Sequence, residues 1–213
     1  MAFLIIPKEK RLFLTLVILV PWLTIARSTG MGPFAVAAKL SSGIAYLLIA
    51  YSAFTHPGHK RQIPWIVWMF VIVGCMGIFY VFTTQERTLA LVLRSQWVCV
   101  TLAGVLTAQT IVYLSDFRRV IDALTWGCVF ALIVPLSGLI LFPTESFLRG
   151  AGRFQPWGAN SNQIGMLFAL ATPLLVYTLI STKRITMRPL LLSALIAALG
   201  MALMTGSRQT LFA

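Results

Sequence analysis

Of the chain's 213 residues, 59% are hydrophobic and 10% are charged, and its mean hydropathy is +0.89. A soluble domain carries about 25% charged residues, so this composition excludes a water-soluble fold, whose polar surface it could not supply. The 17 Lys and Arg against 5 Asp and Glu give a formal charge of +12, yet these cations sit in short joints between apolar runs, which excludes nucleic acid as a partner.

The apolar runs recur near the ~20 residues needed to cross a bilayer. They predict an all-α integral membrane protein with about seven transmembrane helices. Lys8, Lys10 and Arg11 precede a first span over 12–26, with Pro21 expected to kink it. Arg27-Ser28-Thr29 is a poor cleavage site for a signal peptide, so this helix is read as uncleaved. The second span covers 34–54 and carries Lys39 within it. A turn from His56 to Arg61 leads to the third, 64–82, and a polar joint from Thr83 to Arg87 to the fourth, 93–114, with Arg94 in its first turns. Asp116, Arg118 and Arg119 mark the next turn; the fifth span is 120–142, with bends expected at Pro135 and Gly138. After the longest polar stretch, 143–162, come spans over 163–181 and 189–204. Residues Gln209 to Ala213 read as the opening of a further apolar run cut short, so an amino-terminal fragment of a larger protein is expected.

Orientation follows from basic residues on alternate joints. Lys8, Lys10, Arg11, Lys60, Arg61, Arg118, Arg119, Lys183, Arg184 and Arg188 fall on one side, and Arg27, Arg87, Arg149, Arg153 and Arg208 on the other. The richer side is taken as cytoplasmic, which puts the amino terminus inside and the 143–162 loop outside. Cys75, Cys99 and Cys128 all lie in apolar runs without metal-ligand spacing and are read as packing residues.

The outer side then gathers five arginines, with Lys39 and Arg94 in the outer thirds of their spans, opposed only by Glu86 and Glu145. A cation at a helix centre costs about 2.5–3.5 kcal/mol on insertion scales, so such residues either snorkel to the headgroups or face a wet interior. The excess runs against the positive-inside tendency and suits an anionic ligand, for which the planar arginine fork is the usual partner. Interfacial arginines meeting lipid phosphate are the plainer reading. Within the loop, Gly150, Gly152 and Gly158 allow tight turns. Asn160 can cap a helix beginning near Gln163, whose amino end would attract anions.

Gly152-Arg153-Phe154, then Gly158, Asn160-Ser161-Asn162 and Gly165 resemble the "GRF…G-N-x-N…G" region of the O-antigen ligase and O-antigen polymerase superfamily. Thr205-Gly206-Ser207-Arg208 resembles that family's "(T/S)GSR" element, one span later and in the expected order. The resemblance covers about residues 149–213. It implies a C-type glycosyltransferase fold in the bacterial inner membrane. Such an enzyme passes a glycan from undecaprenyl diphosphate to an outward acceptor, either lipid A-core or a lipid-linked repeat unit. It also implies that Arg153 and Arg208 lie near the lipid diphosphate and that Asn160 and Asn162 are loop positions of the site. Arg149 and Arg94 are further candidates for substrate binding on charge alone. The family's catalytic histidine falls in a large outer loop beyond the second motif. His56 and His59, on the cytoplasmic side, do not replace it, so this fragment alone is expected to be inactive.

No cluster of outward carboxylates offers magnesium its oxygen ligands, so neither metal nor other cofactor is expected. No Walker motif is present, so the activated sugar must carry its own energy. Glu145 is a possible base or simply a surface acid. The rival readings are a transporter or flippase for lipid-linked saccharide, and a non-catalytic subunit that holds the lipid carrier. No inverted repeat is visible to favour transport. Ala194, Ala198 and Gly200 are small enough to admit a close helix, either of this chain or of a second copy.

Overall fold

The computed structural model describes residues 6–56, 65–79, 87–111, 114–147 and 152–206. These contain seven α-helices: α1 (Lys8–Ala26), α2 (Pro33–Phe54), α3 (Trp65–Phe79), α4 (Arg87–Thr110), α5 (Leu114–Leu141), α6 (Ser161–Ser181) and α7 (Arg188–Thr205). Among the described residues no strand forms, and the extended contact is a single antiparallel bridge between Phe147 and Phe154. Four stretches, Pro33–Phe54, Ser115–Leu141, Ser161–Ser181 and Ile185–Thr205, are long and apolar enough to cross a bilayer. The chain is therefore an all-helical membrane protein. In hydrocarbon a helix satisfies every interior backbone group within one segment, and these sequences have the length to do so.

The helices divide into two compact units. One comprises Met1–Thr15 and Ser41–Arg119; the other comprises Leu16–Leu40 and Val120–Ala213. In the first, α4 places Gln96 so that its Nε2 donates to Ser42 Oγ of α2 at 2.7 Å. Such interhelical bonds between polar side chains replace lost water in a membrane helix pair.

The second unit carries the better-defined core. Cys128, Ala131 and Leu132 of α5 pack with Ile164, Leu167, Phe168, Ala171 and Leu175 of α6 and with Leu191, Ala198 and Met201 of α7. On α6 these positions recur every three or four residues, which is one face of a helix. The opposite faces leave Met166, Leu170 and Ile180 of α6 and Ile196, Leu199 and Leu203 of α7 exposed. Large apolar side chains turned outward are what hydrocarbon rather than water would surround. Gly127 of α5 takes a second helix at close range: a Cβ there would meet Val20 Cγ2 at 2.9 Å and the Leu16 carbonyl oxygen at 3.1 Å, both on α1. A polar lock ties α5 to α6, where Thr125 Oγ1 and Thr178 Oγ1 are 2.9 Å apart and Thr125 also donates to the Ile121 carbonyl at 2.8 Å.

Several boundaries differ from those read in the sequence. Helix α5 begins at Leu114, so Asp116, Arg118 and Arg119 lie in its opening turns rather than in a joint, with Asp116 in the first turn. A carboxylate there is favoured by the positive end of the helix dipole, a local signal that overrides the polarity of the stretch. Helix α4 starts at Arg87 and ends at Thr110, so Arg94 stands about two turns in. Helices α1, α5 and α6 continue through Pro21, Pro135 and Pro173. The residues His59, Lys60 and Arg61, and the joint from Thr83 to Glu86, lie outside the described residues.

Candidate functional site: the loop between α5 and α6

The polar stretch after α5 folds back on its own unit. Ser146 N–H donates to the Phe142 carbonyl at 3.0 Å, continuing the helical turn, and Gln155 N–H donates to the Ser146 carbonyl at 2.6 Å. These bonds flank the Phe147–Phe154 bridge, and the two rings stand 5.7 Å apart between centroids. Phe154 is fully buried, as are Ala159 and Pro156. An aromatic ring in a Gly-rich loop has therefore become part of the core, in the same cluster as residues of α5, α6 and α7.

Backbone groups of this loop complete the ends of two helices. Helix α7 ends in Gly206, which takes the left-handed conformation (φ 56°, ψ 19°) that glycine adopts without steric cost. The carbonyls of its last turn have no intrahelical donor, and Phe154 N–H supplies one, donating to the Met204 carbonyl at 3.0 Å. At the start of α6, Asn160 is the N-cap, its side-chain oxygen accepting from Asn162 N–H at 2.9 Å. The sequence reading of Asn160 as a cap holds, with the helix beginning at Ser161 rather than near Gln163. The remaining N–H groups of that first turn have no acceptor one turn back, and Asn162 and Gln163 are exposed there.

Trp157 fastens the middle of the loop. Its backbone is left-handed (φ 54°, ψ 31°), a conformation that costs a bulky residue on the order of 1–3 kcal/mol. Pro156 before it fixes the approach and Gly158 after it (φ 67°) carries the chain away. The strained turn aims the indole at α5, where Nε1 donates to the Val134 carbonyl and to Ser137 Oγ, both at 3.1 Å. Its ring meets Phe142 edge-on, with centroids 5.0 Å apart. Two glycines make room. A Cβ on Gly138 would stand 2.9 Å from Trp157 Cδ1, and one on Gly30 would stand 2.9 Å from the Trp157 carbonyl oxygen. Gly138, read in the sequence as a bend, is the flat spot on which the indole lies. Thr29 Oγ1 adds a bond to the Gly158 carbonyl at 3.0 Å, joining the turn after α1 to the same loop.

The candidate residues from the sequence fall as follows. Arg153 is exposed, and its Cγ lies 3.9 Å from the position a Cβ would take on Gly206. The two sequence motifs thus meet at one end of the second unit. Asn160 faces solvent while capping α6, and Asn162 is one residue further into that helix. Arg149 and Arg208 lie outside the described residues. Arg94 belongs to the first unit, and only its backbone is described. Lys39 is exposed on α2, Arg27 is exposed just after α1, and Glu145 is exposed on the loop. Sequence reasoning missed Phe154 and Trp157 as the residues that build the loop; the signal available was two large aromatics set among glycines and prolines in a polar stretch.

An arginine side chain and a helix amino terminus lie at this end of the unit, the two features that favour an anion. Among the described residues no three His, Cys, Asp or Glu side chains gather as a metal site would require. Comparison with protein-family models, with curated proteins and with solved structures finds no match for this chain.

Proposed function

We propose that the protein transfers a glycan from undecaprenyl diphosphate to an acceptor on the outer side of the bacterial inner membrane, in the manner of an O-antigen ligase or polymerase. In this reading the chain has about seven spans in a C-type glycosyltransferase arrangement, with its amino terminus cytoplasmic and the α5–α6 loop outward. The observation that carries the reading is the meeting of the two motif segments, where Arg153 lies beside Gly206 and Phe154 bonds to Met204. The α6–α7 hairpin returns the second segment to the end of the unit where the first lies, so that one ligand can reach both.

The chemistry is a displacement at the anomeric carbon. An acceptor hydroxyl oxygen forms the new glycosidic bond and loses its proton to a base. The bond to the diphosphate oxygen breaks, and the lipid diphosphate leaves with the electron pair. Arg153, with Arg208 from the second motif, stabilises the charge that grows on that leaving group. Removing one such donor costs about 3–4 kcal/mol of barrier in comparable sites.

The test is Arg153→Ala and Arg208→Ala in the native membrane-embedded protein, with glycan transfer and lipid-donor binding measured separately. Transfer lost while donor binding is largely retained supports an enzyme. Transfer at the wild-type rate in both variants removes these arginines from the mechanism and the reading with them.

A further inference from the structure

We infer that Trp157 is the positioning residue that sets the distance between Arg153 and the capped start of α6, and so determines how tightly the lipid diphosphate is held. The inference rests on the proposed transfer reaction for its ligand and on the loop geometry for its mechanism. Between Arg153 and Asn160 the chain makes two local backbone bonds of its own, Gly158 N–H to the Gln155 carbonyl and Ala159 N–H to the Pro156 carbonyl. Neither ties the loop to a helix; its start is tied to α7 by Phe154 N–H on the Met204 carbonyl, and the Gly158 carbonyl accepts from Thr29 Oγ1 of the turn after α1. The ties to α5 come from the indole, through Val134 and Ser137.

Trp157 has the features of a latch rather than of core filler. A core residue takes a relaxed backbone and buries its ring among side chains. Here the backbone is left-handed, the ring is only partly buried, and its polar atom reaches a main-chain carbonyl of a transmembrane helix. Gly30 and Gly138 each lack the Cβ that would collide with this residue, one on its backbone side and one on its ring side. A strained conformation persists where its surroundings over-determine it, and such sites cluster where a ligand must be met in one geometry. Arg153 stands four residues before Trp157 and the Asn160 cap three after it; the buried Phe154 holds the Arg153 end on α7, so a shift of the indole moves the Asn160 cap relative to it.

The experiment uses the native membrane-embedded protein in vesicles of phosphatidylethanolamine and phosphatidylglycerol, carrying Ser146→Cys as a reporter. Ser146 is buried within the loop, where its carbonyl accepts from Gln155 N–H, and its modification by a membrane-impermeant maleimide reads whether the loop has opened; the unmodified chain gives the background from the native cysteines. Trp157→Ala, Trp157→Phe and Ser137→Ala are compared by this labelling and by the KM and kcat for a lipid-linked glycan donor. Loss of the two indole bonds should speed labelling and raise KM by about tenfold in Trp157→Phe. Ser137→Ala should give a smaller change in the same direction, and kcat at saturating donor should change little. Trp157→Ala should exceed both, and if it does not fold, the other two variants carry the test. Labelling that stays at the wild-type rate in Trp157→Phe and Ser137→Ala would overturn the latch. Faster labelling with an unaltered KM would overturn the positioning role, while leaving the transfer reaction to stand or fall with Arg153→Ala.

Discussion

Phe154 N–H donates to the Met204 carbonyl at 3.0 Å, so the loop that follows α5 closes the last turn of α7. Neither residue bears a charged side chain, yet this bond brings two polar motifs together. Phe154 is fully buried beside Phe147, and the backbone bond depends on the ring staying there. Phe154→Ala should therefore cost about 3–5 kcal/mol, the usual loss for an aromatic deleted from a packed site. Thermal unfolding of the purified protein in mild detergent measures it, with Phe154→Leu expected to recover more than half. A loss below about 1 kcal/mol would mean that the loop is held by its backbone bonds alone.

Asn160 separates stability from ligand binding. Its side chain accepts from Asn162 N–H, and Asn160→Ala should cost about 1 kcal/mol of stability for the lost cap. Asn160→Asp keeps the acceptor and adds a negative charge that favours the helix amino terminus. That variant should unfold at or above the wild-type temperature, yet bind an anionic lipid donor more weakly through repulsion. Equal binding by the Asn and Asp proteins would place the diphosphate elsewhere.

The helical class was legible because 59% hydrophobic residues in runs of this length leave few other folds. The Asn160 cap was legible too, since Asn before an apolar periodic run is a local signal. The inward course of the loop was not. Glycines, arginines and asparagines made residues 143–162 look like a solvated joint, and hydropathy averages over Phe154 and Trp157 instead of locating them. Their burial depends on partners far along the chain, namely Val134, Ser137, Gly138 and Met204, and sequence periodicity carries no information about such pairs. The start of α5 was missed for the opposite reason: three charged residues resemble a turn, but Asp116 suits a first helical turn.

Glycines divide into those that hold Trp157 and those that do not. Gly30→Ala would set a Cβ 2.9 Å from the Trp157 carbonyl oxygen and 3.0 Å from its carbonyl carbon. Backbone cannot swing aside as a side chain can, so a loss of about 1–3 kcal/mol is expected. Gly200 in α7 has nothing within 4 Å of such a Cβ, and Gly200→Ala should gain up to about 1 kcal/mol from helix propensity. The same unfolding assay reads both. If Gly200→Ala destabilises instead, a second helix approaches that face in the membrane, as the small residues Ala194 and Gly200 permit.

Thr125 and Thr178 test how α5 and α6 are registered. Their hydroxyls lie 2.9 Å apart, and Thr125 is fully buried, with the Ile121 carbonyl at 2.8 Å and the Leu174 carbonyl at 3.4 Å. Valine at either position keeps the branched shape and removes the hydroxyl. Because Thr125 retains a carbonyl of its own helix when Thr178 is changed, the single Thr178→Val should cost less than Thr125→Val. A double-mutant cycle isolates the contact between the two hydroxyls, and membrane helix pairs give coupling of about 0.6 kcal/mol on average and up to about 1.7 kcal/mol. Coupling in that range, read by detergent-induced unfolding, is the expected outcome. A value indistinguishable from zero would mean that apolar packing alone, through Phe168, Ala171 and Leu175 against Cys128, Ala131 and Leu132, sets the register of the two helices.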